Sequence, residues 1–186
     1  MSVNDIICDY PYTLGPESAK NRYNILTNLT NQTVLIVEYF NKKCSLINFF
    51  KNFAALNTIN KNRLVICNVI NSETPNESDR LLRVLSNAFQ DRDVPWQLRY
   101  KIINQLIHDF LYSTKFLSDY TGIKTKKIED YIIKKGIPDF YKEEGIKHGC
   151  GTLLNTIYED DAFIGDQKLI LYDMVVGPKP DLQPKS

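Results

Sequence analysis

The stretch from Thr114 to Ile133, TKFLSDYTGIKTKKIEDYII, constrains the fold more than any other part of this 186-residue chain. Leu117 and Ser118 set a hydrophobe beside a small residue, as two closely approaching helices require. Gly122 follows where a tight turn needs a left-handed backbone that other residues resist. Ile123 and Ile128 then supply apolar anchors for a second helix that begins at Lys124 or Thr125. This order of residue types reads as a helix-turn-helix, a motif whose second helix lies against nucleic acid.

On that reading Lys115, Lys124, Thr125, Lys126, Lys127 and Lys134 are the side chains expected to meet double-stranded DNA. Lysines in the first turn suit phosphates or guanine edges, and Thr125 suits a phosphate or a thymine methyl. Glu129 and Asp130 share the same helix. They can accept from cytosine amino groups or mark a surface for a basic protein, so a protein-interaction module that does not bind DNA is the alternative reading. From Lys115 to Lys147 eight lysines stand against six acidic residues, and the whole chain carries a net charge of only +1. Any surface for nucleic acid must therefore be local.

Around this motif the pattern predicts an α+β protein: a small mixed α/β subdomain followed by an all-helical domain containing the motif. Residues 1–32, with Pro11, Gly15 and Pro16, read as a loosely packed lead-in with one short helix over Ser18–Leu29. Thr33–Glu38 and Arg63–Ile70 are β-branched runs of the kind found in buried strands. Between them, Cys44–Leu56 repeats its apolar residues at helical spacing. These elements make a subdomain over residues 33–73, and the helical domain covers 74–176. It opens on a capping box, with Thr74 as cap, Pro75 in the first helical position and Glu77 three residues on. A second start at Asp93 and Pro95 leads a helix whose stripe is Leu98, Ile102, Ile103, Leu106, Ile107 and Phe110. Helical segments at Pro138–Glu144, Gly151–Tyr158 and Gln167–Val176 follow, and the Pro-rich tail 177–186 is expected to be disordered.

The order of these elements resembles the ParB family of chromosome and plasmid partition proteins. In that family a strand leads to a helix carrying a Gly-Glu-Arg-Arg box, then a second strand, a helix ending in Glu-Asn-x-Gln-Arg with an Asp-Leu-x-Pro turn, and a helix-turn-helix. Here TVLIVEYFNKKCSLINFFKNFAAL and RLVICNVI stand at the strand, box helix and second strand. SNAFQDRDVPW, Ser86–Trp96, resembles the Gln-Arg and Asp-x-x-Pro turn with a one-residue offset, and GIPDFYKEEGIKHGCGTLL follows the motif as the family's Leu-Pro stretch does. The resemblance implies a DNA-binding regulator or partition-type adaptor, bacterial or from a phage or plasmid, and not an enzyme. It also implies CTP as a ligand of the box. The box positions hold Asn41, Lys42, Lys43 and Cys44, which leaves Lys42 and Lys43 as the residues to meet phosphate, without the glycine or the guanidinium forks. A nucleotide-dependent switch is the weaker alternative. No apolar heptads follow Val176, so the family's dimerising coiled coil is absent from the pattern, although most helix-turn-helix proteins act as dimers.

The remaining chemistry-bearing residues point nowhere else. Cys8, Cys44, Cys67 and Cys150 are widely spaced and read as reduced thiols, which together with the lack of a signal pattern or a long apolar run predicts a cytoplasmic protein without a membrane span. His108 and His148 offer no relay, and Glu159, Asp160, Asp161 and Asp166 lack the spacing of a calcium loop, so neither catalytic nor metal residues are expected.

Overall fold

The computed structural model describes residues 1–10, 13–28, 34–40, 42–71, 76–91 and 94–177. They fall into two compact units, Met1–Val94 and Pro95–Ser186. The sheet and the helix after it group in the first unit, whereas the composition of the sequence shifts earlier, near Ser72 to Asn76.

The first unit is built on a four-stranded sheet in the order β1-β3-β2-β4, with β1 at Ile6–Ile7, β2 at Leu35–Phe40, β3 at Lys43–Leu46 and β4 at Cys67–Asn71. β2 and β3 are antiparallel, while β1 on β3 and β4 on β2 run parallel. Period-two alternation sorts the side chains: Leu35, Val37, Cys44, Leu46 and Ile6 are buried on one face. Across the other face Ile7, Ser45 and Glu38 fall in one row. Helices α1, Pro16–Asn28, and α2, Phe50–Asn60, pack together through Ala19, Ala54 and Ala55, whose small side chains allow close approach, with Leu14 from the segment before α1 in the same cluster. Helix α3, Glu77–Gln90, buries Leu81, Leu82, Val84, Leu85 and Ala88.

Three expectations are corrected here. Residues 1–10 are no loose lead-in: Val3 N–H bonds Arg63 O at 3.0 Å, Val65 N–H bonds Met1 O at 2.9 Å, and β1 joins the sheet edge. The helix expected over Cys44–Leu56 begins only at Phe50, because Cys44 and Leu46 are drawn into β3 by pairing on both sides, and Phe49 turns the chain at φ 60°. The cap of α3 is Asn76, whose side chain accepts from Ser78 N–H at 3.1 Å. Thr74 and Pro75, like Thr33, Asp93 and the tail from 178, lie outside the described residues.

The second unit is helical: α4 Trp96–His108, α5 Thr114–Thr121, α6 Thr125–Glu129, α7 Asp139–His148, α8 Gly151–Glu159 and α9 Gly165–Val176. Of the expected stripe of α4, Leu98, Ile102, Ile103 and Leu106 are buried at or below 4% exposure, whereas Ile107 is half-buried and Phe110 lies past the end of the helix. Ile137, Tyr141, Leu154, Ile157 and Tyr172 gather into one cluster that joins α7, α8 and α9. Tyr141 donates to Asp173 Oδ1 at 2.7 Å, and its burial, with that carboxylate beside it, pushes the phenol up to about 12. Among the described residues, no helix is long and apolar enough to cross a membrane.

Candidate nucleic-acid interface

Helix α5 starts on a Ser113 cap, whose hydroxyl accepts from Phe116 N–H at 3.1 Å, and it ends at Gly122 with φ 71°. That left-handed residue lets Gly122 N–H close on Ser118 O at 2.9 Å, and the chain turns into α6 with Lys124 as its cap residue. Leu117 and Ile128 are fully buried where the two helices pack. The second helix is short. After Glu129 the backbone tightens, Tyr131 N–H bonding Ile128 O and Ile132 N–H bonding Glu129 O, so Asp130 and Lys134 lie beyond it and not on it as the sequence reading has them.

A helix of five residues cannot hold itself, since nucleation costs more than its few hydrogen bonds return. Its position is set instead by side chains of α4 and α8. Trp96 Nε1–H donates to Thr152 Oγ1 at 2.9 Å, and the Thr152 hydroxyl donates to Asp130 O at 3.0 Å. The indole stacks on Tyr100 and Tyr131, with ring centroids at 5.1 and 5.4 Å. Gly151 makes room for it, since a Cβ there would stand 2.5 Å from the ring. Asn155, only 5% exposed, accepts from Lys134 N–H at 3.0 Å and donates to Ile132 O at 2.9 Å. Nothing in the local sequence pattern marks Trp96, Thr152 or Asn155 for this work. The pairing spans 21 residues or more, and only a buried asparagine opposite free backbone groups would have announced it.

The expected contact residues fall as follows. Lys124, Lys126 and Lys127 are exposed around the start of α6, Thr125 is half-buried between them, and Lys115 is exposed in the first turn of α5. Lys134 is set apart, because it forms an ion pair with Glu159 at 2.5 Å. That hydrogen bond and the attraction behind it raise the lysine's pKa and lower that of the carboxylate, to which Lys126 adds a smaller pull. Glu129 is exposed and Asp130 half-buried. Leading into α5 and along its outer side, Tyr112, Phe116 and Tyr120 follow one another at centroid distances of 4.5 and 6.3 Å, with Phe116 42% and Tyr120 50% exposed.

The other singled-out residues do not join this group. His108 is exposed at the end of α4, and His148 pairs with Glu144 at 3.1 Å on α7. Among the described residues, no three His, Cys, Asp or Glu side chains gather as a metal site would require. Lys42 and Lys43 belong to the first unit, at the turn of the β2–β3 hairpin, where Lys42 has φ 63° and Lys43 opens β3. Lys43 lines a cleft of about 420 Å³ together with Ile7, Asp9, Glu38, Phe40 and Arg80. Its arginine is already engaged: Arg80 donates through Nε and Nη2 to both oxygens of Glu77 and through Nη1 to Asp9. Burial opposes that charge, but the bonds and charges of Glu77 and Asp9 outweigh it and raise the guanidinium pKa. Arg83 likewise bonds Glu38, a carboxylate only 3% exposed.

No protein-family model and no curated protein matches the sequence. Among solved structures, the chain is similar to the C-terminally truncated chromosome-partitioning protein ParB of Caulobacter crescentus in complex with the centromeric parS site. The likeness has a TM-score of 0.55 at 10% identity, over 94% of this chain and 89% of that one. The same protein in complex with CTP-γ-S aligns at a TM-score of 0.35 and 10% identity, over 94% and 96% of the two chains. At such identity the likeness is one of fold, and it fits the order of elements found here, a small sheet with its helices and then a run of helices around a glycine turn. The chain has a ParB-like, α+β fold.

Proposed function

We propose that the chain binds double-stranded DNA through α5 and α6, used as a helix-turn-helix, in a partition-type or regulatory role. The observation that carries this reading is the exposed group Lys124, Lys126 and Lys127 at the start of a helix whose far end is tied to α8 at Asp130 O. On a preformed helix only the lysine side chains, and not the backbone, have to be ordered on phosphates, and such contacts supply most of the affinity of DNA-binding proteins. The ParB structure of similar fold was solved on its DNA site, which is consistent with the same use of the fold. Lys115 extends the basic group onto α5, whereas Lys134 shares its charge with Glu159 and adds less.

The test is a duplex-binding titration at two salt concentrations. The affinity should fall steeply with salt, by about 0.9 in log–log slope for each phosphate contact. Lys126→Glu with Lys127→Glu should weaken binding at least about a hundredfold, since two attractive contacts become repulsive, and leave the helical circular dichroism unchanged. Absence of binding at low salt, or a double variant that binds as the parent does, would sink the reading. The exposed Phe116 and Tyr120 of α5, in line with the half-buried Tyr112 just before it, and the acidic Glu129 on α6 favour a second reading in which this surface meets a protein. On that reading Phe116→Ala and Tyr120→Ala, and not the lysine changes, abolish the interaction.

A further inference from the structure

The cleft beside Lys43 has the size of a small-molecule site, and the fold's resemblance would put a nucleoside triphosphate in this unit. A polyphosphate needs donors that nothing else has claimed: guanidinium forks, ammonium groups or the open N–H groups of a helix start. The residues present do not fit it. Asp9 and Glu77 take Arg80 from two sides, Glu77 in the bidentate manner that a phosphate would use, and Glu38 holds Arg83 at the sheet. At the start of α3 one of the N–H groups is taken too, because Asn76 accepts from Ser78 N–H at 3.1 Å. A phosphate entering here would meet three carboxylates, with Lys43 the exposed cation of the lining.

We infer that this cleft has exchanged an outside anion for the chain's own carboxylates, so that Asp9 and Glu77 fill the Arg80 fork and nucleoside triphosphates are excluded while both remain charged. The consequence is a unit that stays in one arrangement whether or not triphosphates are present. It also gives the site a latent affinity. Neutralising the two exposed carboxylates frees a guanidinium fork on a helix whose other arginine is still held to the sheet. Asp9 and Glu77 are the suitable pair to change, since their side chains are 37% and 50% exposed and surface ion pairs add little to stability.

Calorimetric titration of the full chain with CTP, ATP, GTP, UTP and inorganic tripolyphosphate decides the matter. The parent should show no binding up to about 1 mM, and Asp9→Asn with Glu77→Gln should bind tripolyphosphate and the four nucleotides at least about tenfold more tightly. Circular dichroism checks that the double variant is folded, and Glu77→Gln alone serves in its place if it is not. Micromolar binding of any triphosphate by the parent overturns the inference. So does a folded variant that gains no affinity for any of the five anions.

Discussion

The two units use charge in opposite ways. In the first, the arginines of α3 are spent on the fold: Arg80 is 13% exposed between Asp9 and Glu77, and Arg83 reaches a carboxylate that is almost wholly covered. In the second, the basic residues at the start of α6 stand in solvent, and the helix beneath them is positioned by neutral groups, an indole, a hydroxyl and an amide. The difference teaches where to look for a ligand. A charge with an internal partner has its electrostatic energy committed, and binding an outside ion must first break that pair. At the start of α6 the lysines are exposed, so a phosphate can reach them without uncovering a buried pair.

If this contrast holds, the largest effect on stability belongs to the first unit. Glu38→Ala leaves Arg83 without its buried partner and should destabilise the chain by about 3–5 kcal/mol in urea unfolding. Replacing both residues by apolar ones, Glu38→Leu with Arg83→Met, should recover most of that loss. A single substitution costing under about 1 kcal/mol would mean that the pair is no more than a surface contact, and the contrast between the units would break.

How much of this was legible beforehand follows from the range of the interactions. The stripe of α4, the glycine turn and the anchors Leu117 and Ile128 are visible because they recur within a few residues. β1 and β3 are not, since two and four residues are too few to establish a period. The apolar set from Cys44 to Phe53 satisfies a helix and a strand followed by a helix equally well. The Arg80–Asp9 and Arg83–Glu38 pairs join residues 71 and 45 positions apart, so no local pattern could assign them, whereas Arg80–Glu77 is three residues apart. The Lys42 and Lys43 reading had the residues without their neighbours. What decides the character of that cleft is the acids across from them.

The next effect sharpens the comparison from the other side. Asn155→Ala strands the Lys134 N–H and the Ile132 carbonyl, two half-buried backbone groups, and should cost about 1–3 kcal/mol. Because no net charge is involved, the loss should be the same at low and at high salt. A strong salt dependence would show that the support of α6 is electrostatic after all. The smallest effect is confined to alkaline solution. The folded-state pKa of Tyr141 lies near 12, above the ordinary value of 10, so the folded chain keeps a proton that the unfolded chain releases. Its contribution is therefore complete below about pH 10 and declines as pH rises from there towards 12. Urea midpoints measured across that window should fall more steeply for the parent than for Tyr141→Phe, and parallel curves would remove Tyr141 from the account.

Asn155 also fixes how the chain opens. The Lys134 amide belongs to no helix, yet its hydrogen bond is made by a side chain of α8, so its release requires Asn155 to turn away or this segment to part from α8. The segment after α6 thus joins the cooperative unit of a helix twenty residues further along, and does not fray as the end of a five-residue helix otherwise would. Whatever docks on α5 and α6 meets a surface already set before it arrives.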